Sequence, residues 1–261
     1  MELLIIAIFL CAVMLIIYMF REAFRDEVKI QLLKFSNFPK EIGEFNIFFI
    51  SDIHRRRISD SIVEQIKGKA DIIVIGGDLT EKGVPLERVA NNLKKLIHIA
   101  PVFFVWGNND YEVATHQLRD VFNLLGVNEL LNKIYYINKN DKKMALIGLD
   151  DLTQELPPLD LLMDQVDEEA FKILICHNPE TIHSVPNIDK ISLVLSGHTH
   201  GGQIRIFGIG PYRKGGIRKV HGTILLTSNG YGTTLLPLRL GAQAETHLLM
   251  IKNENSDQPI S

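Results

Sequence analysis

The chain has 261 residues, 46% of them hydrophobic and 23% charged, with a formal net charge of -3. That length suits one large domain or two small ones, and the balance is globular rather than disordered. No overall basic field marks a nucleic-acid binder, so no nucleic-acid partner is expected.

The chain opens on an uncharged run, "LLIIAIFLCAVMLIIYMF", from Leu3 to Phe20. At ~1.5 Å per residue it reaches roughly 27 Å, enough to cross a hydrocarbon core. A cleaved signal peptide would want a basic start and a small-residue cleavage site. Here the start is Met1-Glu2 and the exit is "REAFRDEVK". Residues 1–20 are therefore expected to be an uncleaved, single-pass anchor in the cell membrane. Arg21, Arg25, Lys29, Lys34 and Lys40 follow the run and no Lys or Arg precedes it. That bias puts the rest of the chain on the cytoplasmic side. Cys11 lies within the run and Cys176 far from it, so two free thiols are expected rather than a disulfide.

Residues 21–44 read as a juxtamembrane segment. They fit either an amphipathic helix on the bilayer or an extended linker with an edge strand. From residue 45 strands and helices alternate. "FNIFFIS", "ADIIVIGGD" and "PVFFVWGN" are apolar strands. Between and after them come helical stretches "DSIVEQIKG", capped by Asp60 or Ser61, "PLERVANNLKKLIHI", and "YEVATHQLRDVFNLLG", ending at Gly126. The alternation predicts an α/β fold with parallel strands. Strands are also expected at "KIYYIN", "KMALIGLD", "FKILICHN", "ISLVLSGH", "GGQIRIFG", "TILLTSN" and "THLLMIK", with a helix at "LLMDQVDEEA". Residues 45–252 form the soluble domain and 253–261 a frayed polar tail.

The chemistry gathers at the strand ends. Asp52 and His54, Asp78, Asn108, His177, and His198 and His200 stand at five of them. In open α/β sheets, ligands bind beyond the carboxyl ends of the strands. Singly, each residue suits a cap or a turn. Seven together, mixing imidazole nitrogen with carboxylate or amide oxygen and lacking a thiolate set, suit Mn²⁺, Fe or Zn²⁺. In extended chain, residues i and i+2 point to one side, so Asp-x-His and His-x-His can each bracket metal. Asp110 reads as a residue that orients a neighbouring ligand or caps the next helix. Asp150 and Asp151 read as a turn.

In this order, "SDIH", "GGD", "GNND", "CHNP" and "GHTHGGQ" resemble the five blocks of the calcineurin-like metallophosphoesterases. "SNGYGTTLLPLRLG" resembles the C-terminal segment of a membrane-associated bacterial branch. The resemblance covers roughly residues 45 to 250. It implies a four-layer αββα sandwich, two mixed sheets flanked by helices, behind the anchor. It also implies a dinuclear site, with Mn²⁺ expected first and Fe or Zn²⁺ as alternatives. Asp52, His54 and His200 would bind one metal, Asn108, His177 and His198 the other, and Asp78 would bridge them. The implied reaction is attack on phosphorus by a metal-bound hydroxide.

One block departs from the family. A Gly-Asn-His-Asp sequence is usual, and Asn109 stands in the place of the histidine that assists the leaving oxygen. An amide donates a hydrogen bond but transfers no proton near pH 7. Asn109 is therefore expected at the reaction, with three consequences open. The leaving group is a good one, such as phosphate from a pyrophosphate bond; His116 or His183 supplies the acid; or the protein is a weakly catalytic phosphate- and metal-binding sensor or scaffold. Arg55, Arg56 and Arg57 follow a ligand and are expected to grip substrate phosphate or to face anionic headgroups. The expected activity is a metal-dependent phosphohydrolase acting on a phosphate ester or pyrophosphate, of a lipid or lipid-linked substrate. Nothing in the sequence fixes the oligomeric state.

Overall fold

The computed structural model describes residues 1–256. Helix α1 (Glu2–Ala23) is exposed along nearly its whole length and buries only Met19 and Ala23. It is long and apolar enough to cross a membrane. It also runs past the end of the apolar stretch, to Ala23.

The first sheet takes β1 (Val28–Phe35), β2 (Glu44–Ile50), β3 (Ile72–Gly76), β4 (Val102–Val105), β5 (Asn128–Glu129) and, from far along the chain, β12 (Thr246–Asn253). Its order is β1-β12-β2-β3-β4-β5. Of the two alternatives for residues 21–44, the structure has the edge strand: β1 pairs in parallel with β12. Residues 28–35 are thus built into the sheet. The second sheet takes β6 (Lys133–Lys139), β7 (Lys142–Gly148), β8 (Phe171–Ile175), β9 (Leu193–Ser196), β10 (Gly216–Val220) and β11 (Thr223–Thr227), in the order β10-β11-β9-β8-β7-β6. Both sheets are mixed. Strands β2 to β5 run parallel with β12 antiparallel beside β2, and β7, β8, β9 and β11 run parallel between antiparallel β6 and β10.

The apolar runs stack these sheets face to face. Along β3, Ile72 and Val74 enter the core between the sheets, with Phe49, Val105, Leu146, Ile173 and Leu195. Ile73 and Ile75, one residue out of phase, face the other way, toward α2 (Asp60–Ile66), α3 (Leu86–Ile97) and α4 (Thr115–Leu125). On the outside of the second sheet, Ile147, Leu174 and Val194 pack with Leu162 of α5 (Leu159–Met163). A strand buried on both faces reads as a continuous apolar run, which is what "IIVIG" is. Each fully buried Ile or Leu contributes about 1.5–3 kcal/mol. The result is the expected four-layer αββα sandwich.

Local differences have local reasons. Helix α2 is capped one residue earlier than expected, by Ser59, whose side chain accepts from Ile62 N at 3.2 Å. "GGQIRIFG" is not a strand. Gln203 and Phe207 take left-handed φ of 51° and 51°, and Ile206 and Ile209 bridge one another in a tight turn. The helix in "LLMDQVDEEA" shrinks to α5, five residues long. Gly126 ends α4 at φ 70°, as expected of a helix-terminating glycine. Strand β12 extends to Asn253, and residues 257–261 of the tail lie outside the described residues.

The N-terminal edge is held by buried charge. Glu245 pairs with Lys29 of β1, lies 3.5 Å from His247 Nε2 and accepts from Asn229 N at 2.8 Å. Burial alone would raise its pKa, but the hydrogen bonds from His247 and Lys29 outweigh that and pull it down to about 2. A carboxylate depressed in the folded state stabilises the fold fully above its unfolded value, and that contribution is lost as pH falls through the folded value. Glu245→Gln is therefore expected to remove ~3 kcal/mol at neutral pH. It should also flatten the loss of stability between about pH 4.5 and pH 2. Urea unfolding followed across that range checks it; an unchanged acid limb in the variant would refute the role.

Candidate metal centre

The parallel strands of both sheets point their carboxyl ends at one mouth. The segments leaving β2, β3, β4, β8 and β9 deliver Asp52, His54, Asp78, Asn108, His177, His198 and His200 there. All seven predicted ligands belong to one cluster. The turns are tight: Asp52, His54, Asp78, His198 and His200 have φ of 54°, 51°, 52°, 70° and 49°. Left-handed backbone at a non-glycine residue costs of order 1–3 kcal/mol and persists where surrounding structure dictates it. Close approach is enforced at Gly107, where a Cβ would stand 2.3 Å from Asp78 Oδ1, and at Gly77 (φ 84°), where it would stand 2.5 Å from His177 Nδ1.

Within the cluster, His54 Nε2 lies 3.1 Å from His200 Nε2 and 3.6 Å from Asp78 Oδ2. His200 Nε2 lies 3.4 Å from Asp52 Oδ1. Asp78 Oδ2 also lies 3.2 Å from His177 Nε2, so this carboxylate stands between the two groups of imidazoles. Outer partners orient the rings. His177 Nδ1 meets Gly76 O at 2.8 Å, and His54 Nδ1 faces Glu81 Oε2 at 3.0 Å. Such contacts at one ring nitrogen turn the other toward a cation. Asp52 Oδ2 accepts from Ser51 Oγ at 2.6 Å and its Oδ1 from His198 N at 3.0 Å. Asp110 accepts from Gly107 N and Thr80 N, both at 2.9 Å, and so ties the loops after β3 and β4 together.

The charges are those of a site with too many buried anions. Burial opposes a charge on His177, yet Asp78 beside it pushes the pKa up to about 10. Burial, then Asp78, raises Asp110 to about 7. Burial pulls His200 down to about 3, and His54 and Arg239 beside it act the same way.

The donor set fits divalent cations. Asn108 Oδ1 and Asp151 Oδ2 are buried without hydrogen-bond partners, and the Nε2 of His177 faces only the Asp78 carboxylate, at 3.2 Å. Buried polar atoms are nearly always satisfied, so a convergent set of unsatisfied ones points to an ion. The Asn108 amide donates to Asn109 Oδ1 at 2.8 Å, which leaves its oxygen free. Among the described residues, three groups could each hold a metal: Asp52, His54 and His200; Asp52, Asp78 and His177; and Asp151, His177 and His198.

Asp151, by sequence a turn residue, is also part of this cluster. The turn exists, since its Oδ1 accepts from Thr153 N at 2.9 Å. The other oxygen is buried without a partner. The signal that could have found it is the strand "KMALIG", which runs parallel beside β8, so its end reaches the same mouth.

A cavity of about 290 Å³ opens onto the cluster, lined by Asp78, Asn109, His198, Gln203, Tyr212 and Thr234 among others. Asn109 is where the family's histidine was expected; its N donates to Asp78 Oδ1 at 2.9 Å. His116 and His183 do not line this cavity, so neither is placed as a substitute acid. Nor do Arg55, Arg56 and Arg57. Arg56 corrects the expectation most clearly. It is buried and donates to Tyr231 O at 2.6 Å, Phe24 O at 2.7 Å, Arg25 O at 3.0 Å and Asp26 Oδ1 at 2.6 Å. Both terminal nitrogens of this guanidinium are thus engaged within the protein, by backbone carbonyls and the Asp26 carboxylate. Arg55 is exposed and paired with Glu81, and Arg57 is exposed beside Arg88.

Two mixed sheets with imidazole, carboxylate and amide groups at a shared mouth define a metal-dependent phosphoesterase architecture. The family model for calcineurin-like phosphoesterases matches residues 45–202, and the chain belongs to that family. It is 44% identical over 225 residues to the uncharacterized protein YpbG of Bacillus subtilis, covering 84% of this chain and 87% of that one. It is 29% identical over 233 residues to the phosphodiesterase YaeI of Escherichia coli, covering 81% and 84%. The NAD nucleotidase NadN of Haemophilus influenzae shares the fold at a TM-score of 0.51 and 13% identity, over 72% of this chain and 46% of that one.

Asp151→Ala is expected to weaken Mn²⁺ binding by about 10-fold or more, since even outer partners of metal ligands are worth ~10–100-fold. Titration calorimetry of the metal-stripped chain reads this directly. Unchanged affinity and stoichiometry would return Asp151 to a purely structural turn.

Proposed function

We propose that the chain is a membrane-anchored phosphohydrolase that holds two divalent cations. It cleaves a phosphate ester or a pyrophosphate bond of a lipid or lipid-linked substrate at the cytoplasmic face. The observation that carries this reading is the gathering of buried carboxylates and imidazoles into groups able to hold a metal, beside a cavity that Asp78, Asn108, His198 and His200 line. Asp52, His54 and His200 would hold one cation. Asn108, His177 and His198, joined by Asp151, would hold the other, with Asp78 between them. Mn²⁺ fits this hard, mixed donor set first, with Fe or Zn²⁺ as alternatives. When bound, such a pair acidifies water and stabilises charge on the entering and leaving oxygens.

The chain's own groups set the limits of the chemistry. Asn109 borders the cavity and can donate a hydrogen bond to a phosphoryl oxygen. It cannot hand a proton to the leaving group. This supports a substrate whose leaving group is already stable, such as phosphate expelled from a pyrophosphate. The anchor reading rests on α1 and on the basic residues that follow it.

Two measurements bear on this. With Mn²⁺ and bis(p-nitrophenyl) phosphate, Asp78→Ala and His177→Ala are each expected to cut turnover by more than the ~100-fold of an outer-partner loss. Full turnover in the double variant would sink the ligand assignment. Asn109→His is expected to speed hydrolysis of alkyl esters toward the ~100-fold that a general acid contributes, with little change on aryl esters. If alkyl esters do not gain, position 109 does not limit the reaction.

A further inference from the structure

The register of the first sheet puts the end of α1 and the metal-site mouth on the same side. Phe49, near the end of β2, pairs with His247, and Thr246 beside it pairs with Val28, the first residue of β1. The chain leaving α1 thus enters the sheet where β2 exits toward Asp52. The last turn of α1 is fastened there. Arg239 N donates to Met19 O at 3.0 Å and Ala244 N to Glu22 O at 3.3 Å, while Arg56 binds the carbonyls of Phe24 and Arg25.

Met19 lies inside the apolar run, about 6 Å before Ala23 along the helix axis. The backbone at residue 239 is therefore level with the apolar part of α1. The segment before it carries Leu235, 99% exposed, and Leu236, 63% exposed. Leu235, Pro237, Ala23 and Phe24 share one cavity wall, so this segment flanks the helix directly. Gln203 ties in a second loop. Its Nε2 donates to Thr234 O and Leu236 O, each at 3.1 Å, and Thr234 N returns to Oε1 at 3.0 Å. That second loop turns between Ile206 and Ile209, with Phe207 wholly exposed at its tip. Cations stand by the end of the helix and in the second loop's continuation. Arg55, Arg57 and Arg88 line a cavity of about 390 Å³ with Phe24. Arg213 and Lys214 are exposed just after Tyr212.

We propose that loops 204–212 and 233–238 insert into the same leaflet that α1 leaves, with the neighbouring cations in the phosphate headgroup layer. This rests on the reading of α1 as a membrane span. The partner is the bilayer, because Leu235 and Leu236 stand exposed in a segment fastened to the end of an apolar helix, through Arg239 N and Met19 O, where the surroundings are lipid. Tyr212, Gln203 and Thr234 belong both to these loops or their bases and to the lining of the metal-site cavity. The cavity then opens at the headgroup layer, and the phosphate to be cleaved reaches it from the membrane plane.

The test uses the full chain in phosphatidylcholine–phosphatidylglycerol vesicles whose acyl chains are brominated near the glycerol. The single native tryptophan, Trp106, is buried and gives a constant background. Four variants each add one: F207W, L235W, F9W within α1, and L124W, an exposed site at the far end of α4. Expected is loss of the added emission on bromination for F207W, L235W and F9W, with none for L124W. Quenching of F9W with F207W and L235W no more quenched than L124W would overturn loop insertion while leaving the span intact. The same pattern with the two loop sites crosslinking between chains would assign the apolar tips to a second copy instead. An unquenched F9W would remove the membrane reading itself, and the proposal with it.

Discussion

Three buried carboxylates, Asp52, Asp78 and Asp151, converge on one mouth with four imidazoles. Their crowded negative charge is the constraint on which the rest of the structure depends. Against the effect of burial, Asp78 raises the pKa of His177 to about 10. The strained left-handed turns at five positions make sense only if something at the centre returns their cost. The sandwich is the scaffold that can hold them. It brings the carboxyl ends of two separate sets of parallel strands to one point, and a single open sheet would offer half the donors.

Much of this is legible in the amino-acid sequence, and for a physical reason. Strands buried on both faces must be continuous apolar runs, so their ends are sharp, and a polar residue at a sharp end is conspicuous. The seven candidate ligands stand out in this way, and the fold gathers all of them. Asp151 does not, because an aspartate after a strand is so often a turn residue, and here it is both. Arg56 misleads for the opposite reason: a run of three arginines after a candidate ligand looks like a phosphate grip, and nothing local reveals that the middle one folds back onto the end of α1. The irregular chain from Gln203 to Tyr212 resembles a strand because its apolar content looks like core, when it is exposed.

Two buried arginines join regions that the sequence keeps far apart. Arg56 is two residues from His54 and grips the carbonyls closing α1. Arg239 donates to Met19 O through its backbone, while its guanidinium reaches His200 Nδ1 at 3.2 Å and Gly232 O at 2.6 Å. Burial lowers the pKa of Arg239 to about 10, so it stays charged at neutral pH. Each arginine spends its donors on several backbone carbonyls, which makes the junction stiff. The helix end and the candidate ligands are thus parts of one body.

The placement of β12 has an implication for how the molecule comes into being. Strands β1 and β2 are neighbours in the chain but not in the sheet, because the last strand lies between them. During synthesis the gap stays open until residues 246–253 have left the ribosome. Until then β1, next to the emerging N-terminal helix, has no hydrogen-bonding partner along the edge it will share with β12. Contacts this distant in sequence close late and slowly. The order of manufacture is therefore set: a strand made late is the bolt that joins the N-terminal edge to the rest of the sheet.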